Sequence, residues 1–218
     1  MIKNIVFDLG GVVLPLTPEK AWDRFESLGI KNARQQMGLY GQTGIFLKVE
    51  NGEISEEQFI CELNKQAQQM ANDNENVPII DYKAAQWAWK GYLDNVELYR
   101  LNNLLTLKQK YNVMLLSNIN PFVVEWAGRD SFSGDGHPLG YYFNRMFFSY
   151  EMHEYKPDVS IFKKMIQQAC IKPQETLFLD DGEHNVKAAE KLGIHTLHVK
   201  ENQDWMPLLT EQLNKLNK

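Results

Sequence analysis

The segment Ile2-Lys3-Asn4-Ile5-Val6-Phe7-Asp8-Leu9-Gly10-Gly11 opens as a short, largely apolar run with β-branched residues and closes on an aspartate and two glycines. An apolar run of this length predicts a strand buried on both faces, and the glycine pair breaks it. Four more such runs follow: Val113–Leu116, Met146–Phe148, Thr176–Leu179 and His195–Val199. Helical patterns lie between the later ones. Leu98, Leu101, Leu104 and Leu105 share a helix face before the second run. Ile161, Met165, Ile166 and Ala169 do so before the fourth. Val186, Ala189 and Leu192, closed by Gly193, do so before the fifth. Strands buried on both faces and alternating with helices predict an α/β fold, a Rossmann-like parallel sheet covered by helices.

Residues 17–95 interrupt the alternation. Thr17-Pro18 is a cap and first-turn signal, Phe25 and Leu28 fall on one face, and Gly29 can end that helix. Asn51-Gly52 is a turn. Ser55-Glu56-Glu57-Gln58 is a capping box ahead of Phe59, Ile60 and Leu63. Another helix carries Trp87 and Trp89, and the polar residues 72–76 read as a loop. The expected organisation is a core of residues 1–16 and 96–218 with an all-helical insert at 17–95.

The 218 residues suit one full domain plus a smaller unit, large enough to hold together without disulfides or a structural metal. With 23 Lys and Arg against 28 Asp and Glu, the formal net charge is −5, so no global field draws in nucleic acid. Cys61 and Cys170 lie far apart, form no disulfide framework, and fit a reducing compartment. Both fall in helical patterns and are expected to be buried and inert. The first residues lack a signal-peptide apolar core, and no stretch reaches the ~20 apolar residues that span a bilayer. The expectation is a cytoplasmic protein, monomer or homodimer, without nucleic-acid or membrane partners.

Ligands of open α/β sheets bind beyond the carboxyl ends of the strands. Here those ends carry Asp8-Leu9-Gly10-Gly11, Ser117-Asn118 and Asp180-Asp181, with Lys156-Pro157 shortly after the third strand. Converging carboxylates repel unless a cation joins them, and oxygen-only ligands favour a hard ion such as Mg²⁺. The glycines let the backbone approach an anion closely. The Ser117 hydroxyl and a nearby amide suit phosphoryl oxygens, and Lys156 adds positive charge. Such a set fits transfer of a phosphoryl group to a carboxylate. Taken singly, each piece also reads as a strand-end residue or a helix cap.

On FDLGGVV at 7–13, LLSN at 115–118, Lys156-Pro157 and FLDDGEHN at 178–185, the chain resembles a haloacid dehalogenase-like hydrolase with a helical cap inserted after the first strand. The first motif, Gly-Glu-Ile-Ser at 52–55 and the closing Asp-Asp-x-x-x-Asn look most like the bacterial glucose-1-phosphatase type. The phosphatase domain of epoxide hydrolases is similar. The resemblance implies Asp8 as the nucleophile of an aspartyl-phosphate and Mg²⁺ held by Asp8, the Gly10 carbonyl and Asp181. Asp180 is implied as a second acidic ligand, through water or directly. Ser117 and Asn118 would hold the phosphate of a small phosphorylated metabolite, a sugar phosphate above all. Lys156 would neutralise it, and Asn185 would brace the acidic loop.

One position departs from the resemblance. The usual phosphatase pattern has a second aspartate two residues after the nucleophile, to protonate the leaving group and then activate water. That position is Gly10. Either the leaving group departs easily, as an anomeric or acyl oxygen does, or another residue supplies the proton. The candidates are His137, His153, Glu151, Glu154 or a cap residue. The alternatives are a 2-haloacid dehalogenase using the same nucleophile and a module that binds a phosphate ligand without turnover. A halide-displacing site needs no metal, so the Asp180-Asp181 pair argues for phosphate. The polar loop at 128–142 is expected to shape the substrate entrance. Trp22, Phe25, Phe46, Trp87, Trp89 and Tyr92 read as cap core, with Phe46 and Tyr40, near Gly38, Gly41 and Gly44, the better candidates for facing a substrate.

Overall fold

The computed structural model describes residues 1–38, 41–72, 76–93 and 95–217. Its centre is a five-stranded, all-parallel sheet of β1 (Asn4–Phe7), β2 (Asn112–Ser117), β3 (Arg145–Phe148), β4 (Thr176–Asp180) and β5 (His195–His198), in the order β3-β2-β1-β4-β5. All five apolar runs of the sequence are strands. The chain leaves β1 for β2 on one side and later returns to β4 on the other. β1 is therefore the topological switch point, where a crevice opens beyond the carboxyl ends. Phe7 pairs in register with Leu115 of β2 and with Leu179 of β4. The next residues, Asp8 and Asp180, thus leave the sheet side by side.

Period-two alternation divides the strand residues between two cores. Ile5, Phe7, Leu115, Leu177 and Leu179 join one cluster with Leu101 and Leu104 of α6 (Leu98–Lys108) and with Leu209 and Leu213 of α11 (Met206–Leu216). Val6, Met114, Leu116 and Phe178 face the other way. They pack on Ile161, Phe162 and Met165 of α9 (Val159–Ala169) and on Ala188 and Ala189 of α10 (Glu183–Glu190). Helices on both faces explain why the central strands show no polar alternation.

Between β1 and α6 lie α1 (Pro18–Ser27), α2 (Ala33–Gln36), α3 (Gly44–Glu50), α4 (Glu56–Met70) and α5 (Tyr82–Lys90), and no strand among the described residues. The capping box at Ser55 forms as read: its hydroxyl accepts from the Gln58 N–H, and Gln58 Oε1 accepts from the Ser55 N–H. Thr17 stands at the N-cap of α1 without capping it, because its hydroxyl donates to the Gly91 carbonyl at 2.7 Å. The insert has its own aromatic core. Phe25, Phe46, Phe59 and Trp89 are fully buried, with ring centres 5.1–6.0 Å apart. It meets the sheet domain through Phe59 against Phe122 of α7 (Pro121–Ala127) and through Gln86, whose side-chain amide donates to the Phe122 carbonyl.

Several sequence expectations change here. Phe46 is core, not a substrate-facing ring, because Phe25, Phe59 and Trp89 enclose it. Tyr40 lies outside the described residues. Trp87 is 47% exposed, since α5 buries Ala85, Ala88 and Trp89 and turns residue 87 outward under the Arg24 guanidinium. Cys61 and Cys170 are exposed, not buried. Helix α4 buries Phe59, Leu63 and Ala67, which puts position 61 on the opposite face, and Cys170 is the left-handed residue that ends α9. No helix among the described residues is long and apolar enough to cross a membrane.

Candidate active site

The turn after β1 is held from several directions. The Gly11 N–H donates to the Leu14 carbonyl, and the Gly11 carbonyl accepts from the Asn202 N–H at 2.7 Å. The Val12 carbonyl accepts from both Arg100 and the Trp205 indole at 3.0 Å. Gly11 sits at φ +73, and a Cβ there would come within 2.3 Å of Asp181 Oδ2. The sequence needs glycine at 11 because the acidic loop after β4 closes directly over it.

Lys156 is the hub. It is 1% exposed, and its ammonium donates to Asp8 Oδ1 at 2.8 Å and to Asp180 Oδ2 at 2.7 Å. Asp180 Oδ1 accepts from the Gly182 N–H and from the Asn185 amide, both at 2.8 Å, so this carboxylate is spent on holding Lys156 and the acidic loop. Asn185 thus lies within hydrogen-bond reach of the acidic loop. Asn118 grips the Lys156 backbone at both ends: its amide donates to the Lys156 carbonyl at 2.9 Å, and its Oδ1 accepts from the Lys156 N–H at 2.8 Å. Its side chain is therefore engaged in placing the lysine. Ser117 is buried at the end of β2, beside this clamp.

The charges of the site do not balance. Burial and the neighbouring Asp180 push Asp8 up to about 6, against the pull of Lys156 and the Leu9 N–H. Burial, Asp8 and Asp180 push Asp181 up to about 8. Burial would depress Lys156, but Asp180 and Asp8 outweigh it and raise the lysine well above its usual range. One ammonium thus serves three carboxylates whose oxygens lie within 4.8 Å of one another. Asp181 Oδ2 is buried and has no hydrogen-bond partner in the protein. A hard cation fits that oxygen cluster and would satisfy the orphaned atom.

The site opens into a solvent-open cleft lined by residues of both the sheet domain and the insert. None of His137, His153, Glu151 and Glu154 lines it, nor does any residue of 128–142. That segment folds away over Asp135, which the Tyr142 hydroxyl and Ser133 contact. The cleft instead brings in Glu50, Gln42 and Tyr155, which sequence reasoning did not single out, and Trp89 and Tyr92, which it placed in the cap core. Glu50 ends α3 and is 5% exposed; Tyr155 donates to its Oε2 at 3.0 Å. Burial pushes its carboxyl up to about 7, against the lowering effect of Tyr155 and Asn120. The unfolded chain ionises Glu50 near pH 4.5, whereas the folded protein keeps the proton until about pH 7. Stability from this group is therefore full below pH 4.5 and declines as pH rises to about 7, by about 3 kcal/mol. Glu50→Gln is expected to melt higher than wild type at pH 8 and close to it at pH 4.5. Equal melting differences at the two pH values would show that Glu50 ionises normally in the fold.

Residues 2–193 match the family of haloacid dehalogenase-like hydrolases. The chain belongs to this family. A D-ribitol-5-phosphate phosphatase of Bacteroides thetaiotaomicron is 38% identical over 214 residues, covering 98% of this chain and all of its own length. A HAD family enzyme of the same organism, solved with magnesium and inorganic phosphate, has a TM-score of 0.82 and 36% identity, covering 95% of this chain and 99% of its own. A predicted HAD-like family hydrolase of Porphyromonas gingivalis, also of known structure, reaches a TM-score of 0.89 at 35% identity, covering 98% of both chains. The glucose-1-phosphatase-like resemblance of the motifs thus lies within a family that spans nearly the whole chain.

Proposed function

We propose that this hydrolase is a Mg²⁺-dependent phosphatase of a small phosphorylated metabolite, a sugar or polyol phosphate, acting through an aspartyl-phosphate on Asp8. The single observation that supports this most is the buried, unpartnered Asp181 Oδ2 beside Asp8 in the lining of a solvent-open cleft. A halide-displacing site would gain nothing from that atom. A phosphatase would use it for the cation that accompanies phosphate. The ribitol phosphate substrate of the 38% identical relative supports the polyol assignment.

In this reading Asp8, Asp181 and the Gly10 carbonyl hold Mg²⁺, which when bound supplies positive charge to the phosphoryl oxygens. Asp180 acts through Lys156 and the loop more than through the metal. Asp8 attacks phosphorus while Lys156 neutralises the equatorial oxygens and releases its hold on the nucleophile's charge. The Ser117 hydroxyl and the Asn118 backbone N–H bind the remaining phosphoryl oxygens. The insert at 17–95 is the cap that covers the substrate.

The test is phosphate release from ribitol 5-phosphate, other sugar phosphates, nucleotides and acyl phosphates, with Mg²⁺ and with EDTA. Turnover of polyol or sugar phosphates that EDTA removes and Mg²⁺ restores is the expected result. Silence across the panel, with halide release from 2-haloacids, would move the protein to the dehalogenases. Phosphate binding without turnover would make it a binding module.

A further inference from the structure

Position 10 has no side chain, so the proton for a departing alkoxide must come from elsewhere in the cleft. Among the described residues, the titratable groups lining it are Asp8, Asp181, Lys156, Tyr92, Tyr155 and Glu50. Asp8 and Asp181 belong to the nucleophile and the cation. Lys156 is fixed between two carboxylates. Burial raises both tyrosines far above their usual range, with Glu50 close by adding to the effect, so neither phenol gives up a proton readily.

Glu50 remains, and it is a placed group. Its backbone carbonyl accepts from the Ser149 hydroxyl at 2.6 Å, and Ser149 opens α8 (Ser149–Met152) directly after β3. Its carboxylate accepts from Tyr155, the residue next to Lys156, and feels the Asn120 side chain at the start of α7. Through these bonds an insert residue is tied to the loops that carry Lys156 and Ser117. We propose that Glu50 is the general acid and base of the reaction, supplied by the insert in place of the side chain missing at Gly10.

The inference rests on the phosphatase reading. In the first half-reaction, Asp8 forms the P–O bond as the ester P–O bond breaks. The Glu50 carboxylic acid passes its proton to the leaving oxygen, giving the alcohol. In the second, the Glu50 carboxylate takes a proton from water as that water attacks phosphorus. Inorganic phosphate leaves, Asp8 is freed, and Glu50 is again protonated. A carboxyl that titrates near pH 7 suits both roles.

The variant Glu50→Gln keeps the shape and can still accept from Tyr155. Its kcat/KM should be compared with wild type on ribitol 5-phosphate, whose alkoxide needs a proton, and on p-nitrophenyl phosphate, whose phenolate does not. The expected loss is about 10²–10⁴-fold on the first and under about 3-fold on the second. The aryl substrate should also give a burst of nitrophenol, because the phospho-enzyme waits for water without its base. In single turnover, wild-type phosphorylation by the polyol phosphate should slow as pH rises through about 7, and the variant should lack that limb. Equal losses on both substrates, or none on either, would overturn the role of Glu50 while leaving the phosphatase standing. A wild type inert on both substrates would overturn the phosphatase reading and this inference with it.

Discussion

Asp8→Asn is expected to lower phosphate release by at least about 10⁴-fold while the protein stays folded. Among the described residues, the carboxylate is the only group at the switch point that faces the cleft, touches Lys156 and is free of the loop-bracing bonds that occupy Asp180. Removing a nucleophile removes the covalent route itself, so the loss belongs with the largest single-residue effects on catalysis. The fold should not suffer. An asparagine oxygen still accepts from the Leu9 N–H, which Asp8 does at 2.7 Å, and Lys156 keeps Asp180. The substitution also removes one of three mutually repelling carboxylates, so the melting temperature should hold or rise. Two measurements decide the point: the rate, and capture of a hydroxylamine-sensitive phosphoryl-protein that forms on wild type alone. Retained turnover in a folded Asp8→Asn protein would sink the aspartyl-phosphate mechanism.

The sheet was legible because its signal is local. Ile5, Val6 and Phe7 announce a strand whatever surrounds them, and a polar residue at a strand's carboxyl end marks a crevice by topology alone. Asp8, Ser117, Lys156, Asp180 and Asp181 could therefore be named together before any distance was known. Glu50 could not. An acidic residue at the end of a seven-residue helix reads as solvent-facing, and only the arrival of Tyr155, Asn120 and Ser149 from the sheet domain buries it. For Phe46 the core reading held and only the substrate-facing alternative fell. Nearby glycines suggested an open segment, whereas the ring is claimed by three aromatic residues from α1, α4 and α5. Cys61 and Trp87 were legible in principle. Each lies two residues from a deeply buried neighbour on its own helix, and a helical period turns such a position outward. Asn118 shows a subtler limit: the strand-end position was right, but a side chain gripping Lys156 and one gripping phosphate leave the same trace in sequence.

Lys156→Met is expected to be the most destabilising single substitution in the site. The lysine ammonium lies over the Phe178 ring, and an unbranched methionine can fill much of the space its stem occupies. What it cannot supply is charge. Asp180 is fully buried and Asp8 nearly so, and the ammonium at 2.7–2.8 Å is their shared counter-ion. Breaking a buried ion pair from one side strands the other partner and costs about 3–5 kcal/mol. For a chain of this length that is a drop in melting temperature on the order of 10 °C. Activity should fall as well, because the phosphoryl oxygens lose their fixed cation. The double variant Lys156→Met/Asp180→Asn separates charge from packing. If the stranded carboxylate is the cause, neutralising Asp180 recovers much of the lost stability, though not the activity. Were packing the cause, the second substitution would only add to the damage, since Asp180 Oδ1 also anchors the Gly182 N–H and Asn185. The sign of that coupling shows whether the hub of the site is held together by electrostatics or by shape.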